Sequence, residues 1–270
     1  MRLPRDLSVA PQQMESVFQA VREAWFGAKP HPVPGALLLE EPRGELLMHV
    51  QATPDQAEQL IKMAIARHAF LLCTDLSQPP DLRERLRHHA FRLYHVGETF
   101  LYTANESAVA LERNRLRPSL DRRRPQPAVR IETIPRSLLP VWSEVCRRSF
   151  GQRVDSATAL AEKEMAWDGM GEQARWYLAW SDGIPVATAI LLQLPDAAQI
   201  LAVGTLPGMR GRGIASALMR RLIQDWQKER QGFLFLDTEP DGDAARLYKG
   251  LGFMPVYRRE LWIPRSVELS

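Results

Sequence analysis

Ile200-Leu-Ala-Val-Gly-Thr-Leu-Pro-Gly-Met-Arg-Gly-Arg-Gly-Ile-Ala-Ser-Ala-Leu-Met219 is the stretch on which the reading of this 270-residue chain turns. Its first residues, Ile200–Gly204, read as a β-strand. Arg212–Lys228 reads as a helix, because Ile214, Leu218, Leu222 and Trp226 recur every fourth residue. A glycine-rich turn joins the two. At a helix N-terminus the first amide N–H groups have no intrahelical partner and carry partial positive charge. Gly211 and Gly213 remove side chains that would block close approach, and Arg210 and Arg212 add cationic charge. The stretch outlines a cradle for a pyrophosphate.

Several nucleotide-binding loops share that physics. A P-loop ends in Gly-Lys-Ser/Thr, and no such tripeptide occurs in the chain. The dinucleotide fingerprint needs a third glycine three residues after the second, where Ser216 stands. That fold also expects an acidic residue about 20 residues on. Asp237 is about that far along, so on the turn alone this alternative stays open, as does a glycine turn that only packs a helix on a sheet. Outward from the turn, Phe233–Asp237 reads as a strand and Asp243–Lys249 as a helix ending in Leu247-Tyr248-Lys-Gly-Leu-Gly252-Phe253.

Arg210-Gly-Arg-Gly-Ile-Ala215, preceded by Pro207 and followed one strand later by Leu247–Phe253, resembles the GNAT superfamily of CoA-dependent N-acetyltransferases. The resemblance covers about 129–264. It implies an α/β fold in the α+β sense, with a mixed, mostly antiparallel sheet flanked by helices. It implies acetyl-CoA or another acyl-CoA as co-substrate, no metal, and direct acyl transfer to an amine of a small molecule or peptide. Backbone groups of Val203, Gly204 and Thr205 are then expected on the pantetheine arm and acyl carbonyl. Arg210, Gly211, Arg212, Gly213, Ile214, Ala215 and Ser216 are expected around the pyrophosphate. Tyr248 matches the residue that protonates the departing thiolate, which suits a phenol whose ordinary pKa near 10 keeps its proton at neutral pH. Where many relatives carry an asparagine before this tyrosine, the chain has Glu239-Pro-Asp-Gly-Asp243, and Asp241 is the nearest counterpart.

An amine must be neutral to attack a thioester, so a base has to accept a proton. All six histidines lie in the first half, and Asp237, followed by Glu239, is the best local candidate. A strand-end or cap carboxylate remains the alternative reading of Asp237. No nucleophile–histidine pair and no cluster with metal-ligand spacing stands out. A module that senses acyl-CoA without turnover is the alternative to an enzyme, and the presence of Tyr248 favours the enzyme.

The first half echoes the second. Glu45–Val50, a helix over 57–67, Phe70–Thr74 and a helix over 82–89 match the later strand–helix–strand–helix, with Phe91 meeting Phe253 and Glu98 meeting Glu260. Leu86 stands where Tyr248 would align, and Ala52-Thr-Pro-Asp-Gln-Ala57 replaces the arginine–glycine turn. The expected organisation is a degenerate GNAT-like domain without a cofactor site at 1–110, an Arg/Pro-rich linker at 111–128, and the catalytic domain at 129–270. Strands are expected at Ala36–Glu40, Phe91–Val96 and Thr99–Thr103, the last two joined near Gly97, and a helix carries Met14, Val17, Phe18, Val21 and Trp25 on one face. His88, His89 and His95 read as ordinary surface or core histidines, with an acceptor wall as the sharper reading.

Hydrophobic residues at 45% and charged ones at 25% describe a globular chain, and its longest apolar runs are too short to cross a bilayer. A net charge of +3 does not argue for nucleic acid, although Arg113, Arg115, Arg117 and Arg122–Arg124 crowd one segment. Cys73 and Cys146 read as buried core thiols, which fits a reducing cytoplasm. A second copy of the chain as partner is left open.

Overall fold

The computed structural model describes residues 11–42, 44–103, 129–229 and 232–267. The arginine-rich segment at 111–128 lies outside them. Two compact units divide the chain: Met1–Thr99 with Val256–Ser270, and Phe100–Pro255. The division differs from the linear one at 110 and 129, because the chain passes from one unit to the other within two strands.

The first unit contains α1 (Pro11–Phe26), β1 (Lys29–Val33), β2 (Ala36–Glu41), β3 (Gly44–Met48), α2 (Pro54–Arg67), β4 (Phe70–Thr74), α3 (Leu82–His88) and the start of β5 (Phe91–Tyr102). β1, β2 and β3 form an antiparallel meander, and β3 runs parallel to β4 through Leu46↔Phe70 and Leu47↔Leu71. The end of the chain closes this sheet: Arg259–Trp262 pairs antiparallel with Leu71–Thr74, and Trp262 sits in the core with Leu47, Ile61, Leu86 and Phe91. That pairing puts Val256–Ser270 in the first unit. β1 was not expected, since it carries Pro30 and Pro32. Proline cannot donate to a ladder, but an edge strand tolerates it, and four of the five residues of β1 are exposed. The expected break at Gly97 is absent, and β5 is one twelve-residue strand.

The second unit contains β6 (Val129–Thr133), α4 (Leu139–Ser149), α5 (Ser156–Met170), β7 (Ala174–Ser181), β8 (Ile184–Leu194), β9 (Ala197–Thr205), α6 (Ile214–Glu229), β10 (Phe233–Thr238), α7 (Asp243–Gly250) and the start of β11 (Phe253–Pro264). β6 to β9 are antiparallel neighbours, and β10 joins β9 in parallel. Alternation along the strands builds the core. Ala187, Ala189, Leu191, Ala198, Ile200, Leu234 and Leu236 meet Leu218, Met219 and Leu222 of α6, together with Phe100, Tyr102 and Phe253. The far half of α6 is tied down by Asp225, 4% exposed, whose carboxylate accepts from Tyr177 (3.1 Å), Arg221 (2.7 Å) and Lys228 (2.8 Å). α4 packs against β8 and β9 on the opposite face.

Both thiols are buried, and burial pushes them up, Cys73 to about 12 and Cys146 to about 11. No helix of the described residues is long and apolar enough to cross a membrane. The repeat seen in the sequence has structural counterparts. β5 and β11 are both twelve residues long and start at the aligned Phe91 and Phe253, and each unit holds a parallel strand pair, β3–β4 in the first and β9–β10 in the second.

Candidate active site

The site is built where β9 and β10 part. Their parallel pairing runs from Ala197↔Phe233 to Ile200↔Leu236, although β9 continues to Thr205 and β10 to Thr238. The cause is a bulge on the other side of β9. Thr188 pairs with Gly204 and Ile190 with Leu201, so Ala202 and Val203 oppose Ala189 alone. Ala202 takes a left-handed φ of 51°, and the Thr188 hydroxyl donates to its carbonyl at 3.1 Å. Such strain in a residue with a side chain persists only where its surroundings hold it. The bulge falls just past the last β9–β10 pair, so the end of β9 runs unpaired with β10 and a wedge lies between the two parallel strands.

Gly204 is required by packing. A Cβ there would stand 2.8 Å from the Ser149 Cβ and 2.9 Å from the Phe150 ring, at the end of α4. Gly211 and Gly213 are required by conformation, with φ of 72° and 77°; a Cβ on Gly211 meets nothing within 4 Å. The chain leaves β9 through a 3-10 turn at Pro207–Met209 and reaches α6 through these two left-handed glycines. The Ala217 amide is bonded to the Gly213 carbonyl at 3.0 Å, so the amides of Ile214, Ala215 and Ser216 precede the first helical bond. Ile214 buries its side chain in the core, 1% exposed, which fixes the axis of α6 while Gly211, Arg212 and Gly213 stay exposed.

Arg210 is engaged with the backbone. Its Nε donates to the Thr205 carbonyl at 3.2 Å and its guanidinium NH2 to the Ser149 carbonyl at 2.7 Å. It braces the end of β9 and the end of α4 around the turn. Arg212 is exposed beside it.

Tyr248 lies on α7, 6% exposed, with its ring edge-on to Phe253 at 6.1 Å. Burial pushes its hydroxyl up to about 12, so it holds its proton throughout the neutral range. Asp241 is exposed at a φ of 61°, and its carbonyl accepts from Arg246 at 3.0 Å. Asp237 is half-buried one residue past the last β9–β10 pair and accepts from the Gln199 amide at 2.8 Å.

The structure therefore gathers the bulge, the opened strands, the helix N-terminus and Asp237 along β9 and β10, with Tyr248 in the same core cluster as Ile214 and Leu236. Sequence reasoning missed Gln199, Ser149 and Phe150. Gln199 had a signal, as a polar residue at the centre of Ala197-Ala-Gln-Ile-Leu-Ala202. Ser149 and Phe150 had none, since only tertiary packing brings them to Gly204. His88 and His89 pair with Glu84 (3.8 Å) and Glu58 (2.8 Å) in the first unit.

The profile of the acetyltransferase (GNAT) family matches residues 141–253. Among solved structures, the chain is similar to a GCN5-related N-acetyltransferase from Kribbella flavida at 14% identity, covering 97% of this chain and 98% of that one, with a TM-score of 0.65. A GCN5-related N-acetyltransferase from Sphaerobacter thermophilus is 18% identical over 87% of this chain and 82% of its own, at a TM-score of 0.59. A tandem GNAT protein from the clavulanic acid biosynthesis pathway is 11% identical over 87% and 79%, at a TM-score of 0.58. At these identities the likeness is one of fold.

Proposed function

We propose that the chain is an N-acyltransferase that takes its acyl group from acetyl-CoA and passes it directly to a primary amine, a reading supported by the match of the acetyltransferase (GNAT) family profile to residues 141–253. The observation that carries this reading is the junction of the opened β9–β10 wedge with an α6 N-terminus reached through Gly211 and Gly213. The wedge admits an extended thioester arm, and the helix end offers unpaired amides to its pyrophosphate.

The amides from Gly211 to Ser216 hold the pyrophosphate, with Arg212 adding positive charge and Arg210 bracing the turn. The backbone of Val203, Gly204 and Thr205 aligns the arm, and Asp241 borders it. The bound thioester supplies an acyl carbon open to attack. Asp237 accepts the proton of the attacking amine, at the mouth of the wedge. Tyr248 returns a proton to the departing sulfur. A thiolate leaving into apolar surroundings is made more basic by the same desolvation that raises Tyr248, so the transfer between them stays feasible.

The first unit is read as a GNAT-like domain without a cofactor site. Support comes from its corresponding wedge. After β3 and β4 part, Gln51 bridges Gln78 in parallel: the Gln78 amide donates to the Val50 carbonyl at 2.8 Å, and the Ala52 amide to the Gln78 carbonyl at 3.3 Å. Two buried free thiols fit a reducing, cytoplasmic setting.

The test is release of free thiol from acetyl-CoA over a panel of amines, spanning amino acids, polyamines and peptides. Turnover on at least one amine is expected. Saturable CoA binding with no thiol release from any amine would contradict the enzyme and leave a sensor of acyl-CoA.

A further inference from the structure

Gln199 is 2% exposed on the α4 face of β9, between Ala198 and Ile200, which point the other way into the core under α6. Its Nε2 donates to the Asp237 Oδ2 at 2.8 Å, while its Oε1 is buried with no hydrogen-bond partner. A carboxylate has only acceptor lone pairs, so Asp237 dictates which end of the amide it meets: Nε2 faces the carboxylate and Oε1 faces away. A buried carbonyl without a partner is unfavourable. Methionine has nearly the same length, would fill the position, and would leave no oxygen unpaired. The glutamine is thus a poor choice for packing and a good one for holding a carboxylate.

The place of the contact gives it meaning. Gln199 lies within the paired part of the two strands, one residue before Ile200↔Leu236, whereas Asp237 lies one residue past that pair. The amide reaches from the last rigid stretch of β9 to the first carboxylate beyond it. We propose that Gln199 is a positioning residue: it anchors one oxygen of Asp237 to the paired part of the sheet, so that the carboxylate meets the acceptor amine in a fixed orientation. This rests on the reading of Asp237 as proton acceptor. No bond is made or broken at Gln199. One amine proton passes to Asp237 as the C–N bond forms, and the amide holds the carboxylate still during the transfer.

A double-mutant cycle on the full chain tests it, using acetyl-CoA and the best amine of the panel above. Asp237→Asn and Gln199→Leu are each expected to lower kcat by about tenfold or more, with the KM for acetyl-CoA changed by less than about twofold. Because Gln199 acts only through Asp237, the double variant is expected to be no slower than Asp237→Asn alone. If Gln199→Leu does not fold, Gln199→Asn, one methylene too short to reach the carboxylate, takes its place in the cycle. Multiplying losses in the double variant would overturn the proposal, as would wild-type kcat in the Gln199 variant beside a slow Asp237→Asn; both leave Asp237 as the base. Wild-type kcat in Asp237→Asn would overturn the base, and the positioning role with it.

Discussion

The helices α2 and α6 each follow the first strand of a parallel pair, yet their N-termini are finished in opposite ways. At α2 the Thr53 hydroxyl accepts from the Gln56 amide at 3.3 Å and the Gln56 side chain accepts from the Thr53 amide at 2.9 Å, a reciprocal capping box. Pro54 has no N–H to offer, and Asp55 places a carboxylate in the first turn. The cap takes the Gln56 amide and the Asp55 carboxylate adds negative charge, so an anion is disfavoured there. At α6 the approach is made by Gly211 and Gly213, which have no side chains to cap with, and Arg210 and Arg212 replace the acid. A helix end that satisfies its own amides serves as a structural joint, and one that leaves them open can take an anion, which is the role proposed for α6. The wedges differ in the same sense: Gln51 and Gln78 rejoin the strands in the first unit, whereas β9 and β10 stay apart beyond Ile200 and Leu236 in the second.

The most severe way to break the contrast is to give α6 what α2 has. Gly213→Asp puts a side chain on a left-handed residue and a negative charge in the cradle. Titration of acetyl-CoA should show affinity reduced on the order of 100-fold or more, equivalent to about 2.7 kcal/mol. Tyr248→Phe separates chemistry from binding. Its kcat is expected to fall by roughly 100-fold, while calorimetry finds acetyl-CoA affinity unchanged.

A smaller effect belongs to the support of α6. The partners of Asp225 hold its carboxyl below the usual range against the opposing effect of burial, so its stabilising contribution is present above the unfolded value near 4 and is lost as pH falls through the lower folded value. Asp225→Asn should therefore cost about 1–3 kcal/mol at pH 7, with the melting curves of variant and wild type converging at the acid end. The smallest change lies at the closed end. Thr53→Ala removes half of the capping box, and thermal unfolding should report a loss of about 1 kcal/mol with acetyl-CoA binding untouched.

Much of this contrast was legible in the residues. The Arg210–Ala215 turn and the Leu247–Phe253 ending carry local chemistry, and both elements stand where the 3.6-residue period and the glycines put them. The match of Phe91 with Phe253 was visible because the endings of the two halves align without gaps, and each of these residues opens a strand. What escaped was non-local. β1 is held by its pairing with β2 and by Val33 against the core, despite its prolines. The closing of the first unit by Val256–Ser270 depends on a pairing between residues nearly two hundred positions apart, which no window along the chain samples. Arg210 illustrates the limit within the site: its charge suggested a phosphate partner, whereas its guanidinium is occupied by the Thr205 and Ser149 carbonyls, a contact set by the packing of α4. Thr53-Pro-Asp-Gln56 was a readable cap signature whose consequence, a sealed helix end, emerges only beside the strands it follows.

The most direct test of the contrast is the number of acetyl-CoA molecules bound per chain, measured by calorimetric titration of the wild type, Thr53→Ala and Gly213→Asp. One site is expected in the wild type, retained in Thr53→Ala and lost in Gly213→Asp. Two sites per chain, or full affinity in Gly213→Asp, would contradict the assignment of the open end of α6 as the sole cofactor cradle.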